Sequence, residues 1–516
     1  MALAAETVET QQKQTTALVV EPIELALPIH RYVPVWDGAS HCFLLDSSLH
    51  DGRLGRFSFV GGDPAAVVMF RRRSGHVLGD PGEVTVVQRH AADGSAIQPP
   101  NVRRFAGDPF LFLRRWLAHR SPPEQTELAQ AYEVPFRGGL VGYLGYELLH
   151  FIENVPPAAR RDVHLPDGYL MAVDSLLAHD HDTNRSYLCA LGQGDHAEQA
   201  HNRARRTADA LLDRVRRFEP DAPGEPAAPQ AVAPGQVAAF FDRDGYGKLV
   251  QTVKDHIAVG DAFEICLTHQ LDVEYGGDPW ALYCHLRRIN PAPFAAYLRL
   301  PEATILSASP ERFLRLDPDG WAEARPIKGT RPRGQTLQDD RRLRDELAHS
   351  EKDRAENAMI VDLLRNDLGR VCRFGSIRVE DAMSIEAYAS VFQMVSTIRG
   401  RLRPECDAVD LLRACFPGGS MTGAPKVEAM KIISRLEPVS RGVYSGAIGY
   451  FDVSGGMDLN IVIRTILMQS DRAYLNVGGA VVADSDPRAE YDETMDKAQA
   501  LLQALRGEHR ACLPKE

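Results

Sequence analysis

The chain is poor in the features that mark secreted, metal-stapled, membrane-spanning or nucleic-acid-binding proteins. Its 516 residues include only eight cysteines, and no two of them stand in a CxxC spacing. That excludes a zinc ribbon and argues against a disulfide framework, so the cysteines read as scattered core thiols. Cys266 and Cys415 in particular sit among apolar neighbours. No apolar run approaches the ~18 residues needed to span a bilayer. Residues Met1 to Thr16 are polar and acidic, without the apolar centre of a secretory signal or the arginines of a transit peptide, so a cytoplasmic protein is expected. A formal net charge of -11 and a pI near 5.9 argue against phosphate-backbone binding, and Arg71-Arg72-Arg73 is too short a basic run to reverse that. There is no internal repeat and no low-complexity tail.

What is present is an ordinary globular composition, 44% hydrophobic, long enough for roughly two to four domain-sized units. The clearest seam is Phe218 to Pro234, where five prolines interrupt an Ala/Gly-rich stretch. It separates an N-terminal strand-rich region (1–235) from a C-terminal region (236–510) in which helices and strands alternate in blocks. Strands are expected at His41 to Leu45, Arg56 to Val60, Ala295 to Leu300, Thr304 to Ser309, Gly446 to Val453, Leu459 to Met468 and Ala473 to Val477. Helices are expected at Pro109 to His119 and Glu198 to Arg217. A glycine cluster, Gly138, Gly139, Gly142 and Gly145, lies between them. Strand runs joined by hairpins point to an α+β fold of large, mostly antiparallel sheets faced by helices.

Lys328 and Glu311 are the leading catalytic candidates. They lie seventeen residues apart, separated by the turn signal Asp317-Pro318-Asp319-Gly320, so a β-hairpin would bring both to one end of a sheet. There an amine and a carboxyl could attack and protonate one small substrate; a solvated lysine and a surface ion pair remain the plain alternative.

Two helices add carboxylates. From about Ser350 to Arg370, Glu356 continues the apolar stripe of Ile360, Leu363 and Leu364, with Asp353 one turn earlier. From about Pro487 to Leu505, Glu490, Glu493 and Lys497 align with Leu501, Ala504 and Leu505. Acids on a core-facing stripe are costly unless compensated, although first-turn acids also favour the helix dipole without any ligand. Four converging carboxylates would require a cation, and all-oxygen donors select a hard ion such as Mg²⁺.

Arg464 interrupts the apolar run Ile461 to Leu467 and needs an anionic partner, either a substrate carboxylate or a protein acid. Gly478-Gly479 offers backbone N–H groups that a ligand can approach. The segment Pro417 to Lys426, with Thr422 and with Pro425 at a helix start, could also hold an anion. Lys426 at that positive helix end should itself pair with an acid.

These segments resemble those of the chorismate-utilising enzymes. The matching residues are SPERF (309–313), PIKGT (326–330), DRAEN and MIVDLLRNDLGRV (between 353 and 372), FPGGSMTGAPK (416–426), IVIRT (461–465), and AEYDET with Lys497. Weaker matches, FLLDSS (43–48) and GGLVGYLGYE (138–147), extend the likeness over nearly the whole chain. The resemblance implies a single large αβ sandwich of two sheets, with the N-terminal region packed into the same body. PIKGT, with its lysine, resembles the aminodeoxychorismate synthase component I branch, whereas anthranilate synthase component I enzymes are similar to PIAGT.

The resemblance further implies Mg²⁺ held mainly by Glu356 and Glu493, with Asp353 and Glu490 assisting. Arg464, Tyr444 and the Gly478 and Gly479 amides would hold the enolpyruvyl carboxylate, with Lys497 and Thr422 nearby. Lys328 would add to the ring while protonated Glu311 releases the hydroxyl, desolvation leaving the lysine neutral and the acid protonated. The expected product is 4-amino-4-deoxychorismate, a precursor of 4-aminobenzoate and folate. None of the cysteines stands in a glutaminase-like GxCxG setting, so ammonia would come from solution or from a separate glutamine amidotransferase subunit. Gln393 replaces a family histidine of the HLVST segment, which weakens a pyruvate-expelling reading. Alternatives are a synthase of 2-amino-2-deoxyisochorismate or anthranilate, an isochorismate synthase using water, and a non-catalytic ligand-binding subunit.

Overall fold

The computed structural model describes residues 14–508 except 51, 53, 74, 91–95, 121–132, 219–228, 232–236, 389 and 390. Most of the proline-rich stretch Phe218–Pro234 therefore lies outside the described residues, as does the N-terminal polar segment up to residue 13.

Two twelve-stranded sheets form the body, and each is continuous across the two halves of the sequence. In the first, the N-terminal strand Cys42–Asp46 pairs antiparallel with Phe294–Arg299, Asp46 opposite Ala295. In the second, Gly139–Leu144 pairs antiparallel with Ala447–Asp452. The N-terminal region is thus built into both sheets, as the resemblance implies, and the two halves share one body.

Layering follows from side-chain alternation. In Phe294–Arg299, Ala296 and Leu298 join the core between the sheets, while Ala295 and Tyr297 turn to the opposite face. That face of the first sheet packs on the helices Ala197–Arg217, Pro279–Ile289 and Pro487–Leu505. The outer face of the second sheet packs on Pro109–Arg120, Glu351–Gly369 and Ala408–Cys415. Strands buried on both faces read as continuous apolar runs, because neither face meets water. The result is the αβ sandwich expected from the sequence. Among the described residues no helix is long and apolar enough to cross a membrane.

The two acid-bearing helices start where their capping residues dictate. Ser350 accepts from the Asp353 N–H, and Asp486 accepts from Arg488 and Ala489 with Pro487 in the first turn; such caps contribute about 1 kcal/mol each. One expected strand is corrected. Leu459 to Met468 is not a single strand: Met457–Ile461 belongs to the second sheet and Thr465–Gln469 to the first. The chain crosses between the sheets at 462–464, and Arg464 takes φ 50° there, a backbone conformation that side chains make costly.

Candidate active site

Two such crossings lie side by side. Thr304–Ser309 belongs to the first sheet and Arg312–Leu316 to the second, so Pro310 and Glu311 span the gap just as residues 462–464 do. The crossings are stitched together by Ser309 Oγ donating to the Ile461 carbonyl at 2.6 Å and the Ile461 N–H donating to the Glu311 carbonyl at 3.0 Å. Glu311 and Arg464 therefore meet at one end of the sandwich because the chain changes sheets there twice.

Glu311 is buried, and Ser420 Oγ donates to its Oε1 at 2.9 Å. Burial pushes its carboxyl up to about 7, against the opposing effects of Ser420 and Lys328. It can hold a proton at neutral pH, as the sequence reading requires. The expected hairpin is present, Arg312–Leu316 pairing with Trp321–Ala324 across the Asp317–Gly320 turn. Lys328 lies beyond it on Ile327–Pro332, which pairs instead with Val391–Arg401.

Lys328 is 7% exposed, and its Nζ donates to Glu264 Oε1 at 2.5 Å. Glu264, fully buried, opens the strand Glu264–Glu274 of the first sheet, so the pair bridges the two sheets. Burial alone would neutralise the lysine, but Glu264 and Glu356 outweigh it and hold the ammonium above its usual range. The expectation that desolvation leaves Lys328 neutral is thereby corrected for the unliganded protein. Glu264 was missed in the sequence. Its signal was a lone acid inside the apolar run Ala262 to Leu267, the same reasoning that singled out Arg464.

The four helix acids divide into two kinds. Glu356 and Glu490 are buried, and Lys352 reaches both, its Nζ 3.9 Å from Glu356 Oε1 and 3.7 Å from Glu490 Oε1. Burial raises Glu356 to about 7 and also raises Glu490, whose Oε2 has no hydrogen-bond partner among the described residues. Asp353 instead accepts from Arg331 at 3.0 Å, and Glu493 pairs with Lys497 at 2.7 Å. Burial opposes Glu493's charge, but Lys497 outweighs it and keeps the carboxylate below its usual range. Glu493 and Lys497 are also nearly half exposed, so they lie beside the core stripe rather than on it; that stripe runs through Glu490, Thr494, Ala498 and Leu501.

Among the described residues no three acids form a ready-made metal cluster. The donor set nevertheless fits a hard cation: two raised, buried carboxylates, one with an orphaned oxygen, face the half-exposed head of Lys352. Glu356 and Glu490 are the more buried of the four acids, and the expected Glu493 lies beside Glu490. Gly479 stands beside them, a carbon built on it lying 3.1 Å from Glu490 Oε2 and 3.7 Å from Glu493 Oε1. The neighbouring Gly478 carbonyl accepts from Lys497.

Arg464 forms no ion pair among the described residues, and burial lowers its basicity despite the nearby Glu311. Glu311 acts on it without forming an ion pair with it. Tyr444 is buried, with no hydrogen bond from its hydroxyl among the described residues. Thr422 is bonded within its own loop, its hydroxyl directed to the Gly418 and Gly419 carbonyls. Lys426 finds the acid partner expected of it, donating to Asp367 at 2.6 Å and to two carbonyls. Gln393 is buried on the strand beside Ile327–Pro332, its Oε1 without a partner among the described residues.

The glycine loop holds acids rather than an anion. Phe263 N–H donates to the Ala424 carbonyl and Cys266 N–H to the Thr422 carbonyl, clamping the backbone around Glu264. Gly423 takes φ 137°, and a side chain there would strike the Glu264 carbonyl at 2.1 Å. With Ser420 on the Glu311 carboxyl, one loop holds that group and the backbone of Glu264. A cavity of about 1120 Å³, lined by Trp116, Arg103 and Arg214 among others, contains none of these groups; the convergent acids and Lys328 mark the site instead.

Comparison with known proteins accords with this geometry. The chain is 44% identical over 467 residues to aminodeoxychorismate synthase of Streptomyces griseus, covering 90% of this chain and 61% of that one. It thus spans about three fifths of that relative's length. It is 37% identical over 470 residues to aminodeoxychorismate synthase component 1 of Bacillus subtilis, covering 90% of this chain and 92% of that one. Among solved structures, anthranilate synthase component I from Streptococcus pneumoniae TIGR4 superposes with a TM-score of 0.71 at 28% identity, over 88% of this chain and 94% of that one. Residues 88–503 match the family model described as chorismate binding enzyme, and the chain belongs to that family.

Proposed function

We propose that the chain is a cytoplasmic synthase converting chorismate and ammonia to 4-amino-4-deoxychorismate, through an adduct on Lys328. The observation that carries this is a buried lysine at the same end of the sandwich as a carboxyl raised to about 7. An amine for attack and an acid for a poor leaving group are what displacement of a ring hydroxyl needs. The Streptomyces and Bacillus relatives, both named for this reaction, support the same reading.

Chorismate carries two carboxylates. Arg464, which forms no ion pair among the described residues, suits the enolpyruvyl carboxylate, and the buried Tyr444 would assist it. Mg²⁺ bound by Glu356 and Glu490 would neutralise the ring carboxylate. Lys328 adds to C2 of the ring, electrons shift through the diene, and Glu311 protonates the departing C4 hydroxyl. Ammonia then attacks C4 and expels the lysine. Glu311 has its proton ready; Lys328 must first lose one. Ammonia would come from a separate glutamine amidotransferase subunit, and a further enzyme would release 4-aminobenzoate for folate synthesis.

Mass spectrometry of the product from chorismate, Mg²⁺ and ammonium salt tests the reading. Formation of 4-amino-4-deoxychorismate supports it. Anthranilate, or isochorismate formed without ammonia, overturns it.

A further inference from the structure

We propose that Glu264 is the proton acceptor that turns Lys328 into a nucleophile and, through its second oxygen, the docking point for the attacking ammonia. The inference rests on the Lys328 adduct of the proposed function and adds a residue to it. Three observations carry it. Lys328 Nζ donates directly to Glu264 Oε1, so the proton needs no relay to pass between them. Glu264 is fully buried, so its carboxylate is shielded from bulk water. Its Oε2 is buried and has no hydrogen-bond partner among the described residues, which leaves an expensive vacancy that a donor of the right size fills.

A structural salt bridge would not need the loop that holds Glu264. The Gly423-Ala424 pairing fixes the backbone of Glu264, and Ser420 of the same loop fixes Glu311. Seating of substrate at this loop reaches both proton carriers together.

The steps balance. With substrate bound, the proton of the Lys328 ammonium moves from Nζ to Glu264 Oε1, converting an ion pair into a neutral amine and a neutral acid. The amine lone pair forms the C2–N bond, the C4–O bond breaks, and Glu311 gives its proton to the hydroxyl, which leaves as water. Ammonia donates one N–H to Glu264 Oε2 and uses its lone pair to form the C4–N bond. The electrons return through the ring and break the C2–N bond. Lys328 departs as a neutral amine and takes back its proton from Glu264. The new C4 ammonium returns a proton to Glu311, and every group is restored.

The test separates adduct formation from amination. Wild-type protein, chorismate and Mg²⁺ are mixed without ammonia, quenched, and the Lys328 peptide is weighed for chorismate less one water. The Glu264→Gln variant keeps the shape but cannot accept the proton. Its adduct should form at least 10²-fold more slowly at pH 6, where Glu311 is protonated and the Lys328 proton has no acceptor, and the deficit relative to wild type at the same pH should shrink as rising pH deprotonates the lysine. Glu311, Glu356, Glu493 and Cys266 are the other titratable groups acting on Lys328 or acted on by it; none is altered. Glu264→Asp, which keeps the charge and shortens the reach, should restore part of the rate and raise the KM for ammonium more than it lowers kcat. It also serves if the glutamine variant does not fold.

Adduct formation in either variant at the wild-type rate overturns the role of Glu264 and leaves Lys328 untouched. Absence of any adduct in wild type, with amination surviving in Lys328→Ala, overturns the Lys328 reading instead.

Discussion

Lys328 on the second sheet and Glu264 on the first are joined by a buried 2.5 Å ion pair, so the proposed nucleophile is also a cross-link between the two sheets of the sandwich. Breaking such a pair from one side leaves the other charge uncompensated and typically costs ~3–5 kcal/mol, whereas removing both ends costs much less. Lys328→Met should therefore lose amination and about that much stability. Lys328→Met with Glu264→Gln should recover most of the stability but none of the activity. Urea unfolding of the four proteins measures the cycle; additive losses would mean the pair is not coupled.

Glu311 acts as an acid only while protonated. Because burial raises it to about 7, the rate should be level below pH 6 and fall tenfold per unit above 7. Ser420 donates to the ionised form and so lowers this value. Ser420→Ala should move the falling limb to higher pH, the opposite of what loss of an activating group would do. The pH profile of kcat/KM for chorismate reads the direction, and a limb that stays put excludes Glu311 as the acid.

Glu356, raised to about 7 by burial with Lys352 as a partial counter-charge, must give up any proton it holds when a divalent cation binds. Mg²⁺ affinity should rise with pH up to about 7 and then level off, with proton release near pH 6.5. Calorimetry in two buffers of different ionisation enthalpy detects the released proton. Glu490→Gln should weaken Mg²⁺ binding more than Glu493→Gln, since Glu493 is already paired with Lys497; the reverse order would restore the pairing expected from resemblance.

Much of this site was legible because local signals agreed. The helix Pro487–Leu505 starts at an Asp-Pro cap and runs on one apolar stripe, so its ends matched the expectation. The hairpin between Glu311 and Lys328 announced itself by its turn. Arg464 stands out in the sequence as a charge that needs an anionic partner, yet the break in its strand does not. Both sheets bury both faces, so a chain passing from one to the other keeps an unbroken apolar pattern, and only φ at Arg464 reveals the crossing. Glu264 escaped for a related reason: its partner is sixty-four residues away on the other sheet, a contact that no local period encodes.

Gly329 sits between the reactive lysine and the helix acids with φ 86°, and a Cβ there would lie 2.8 Å from Leu347 Cδ1 and 2.9 Å from the Asp353 carboxyl. Gly329→Ala combines a disfavoured backbone with two close contacts and should cost about 1–3 kcal/mol. Because Lys328 precedes it, adduct formation should fall further than stability alone explains. Thermal unfolding and the adduct assay together decide; an alanine variant as stable and as fast as wild type would show that the backbone relaxes freely.

Arg464 offers the sharpest separation of binding from folding. A buried arginine that served the fold would have a protein acid opposite it, and its removal would strand that acid. Here no acid pairs with it among the described residues, and burial already works against its charge. Arg464→Gln should therefore leave stability within about 1 kcal/mol of wild type, or raise it slightly. The same change should raise the KM for chorismate by about 10²-fold, the worth of a charge-assisted carboxylate contact. Arg464→Lys should restore little, since an ammonium cannot reproduce the forked contact. Urea unfolding beside steady-state kinetics checks both halves. A large loss of stability with unchanged KM would make Arg464 part of the scaffold and remove the anchor for the enolpyruvyl carboxylate.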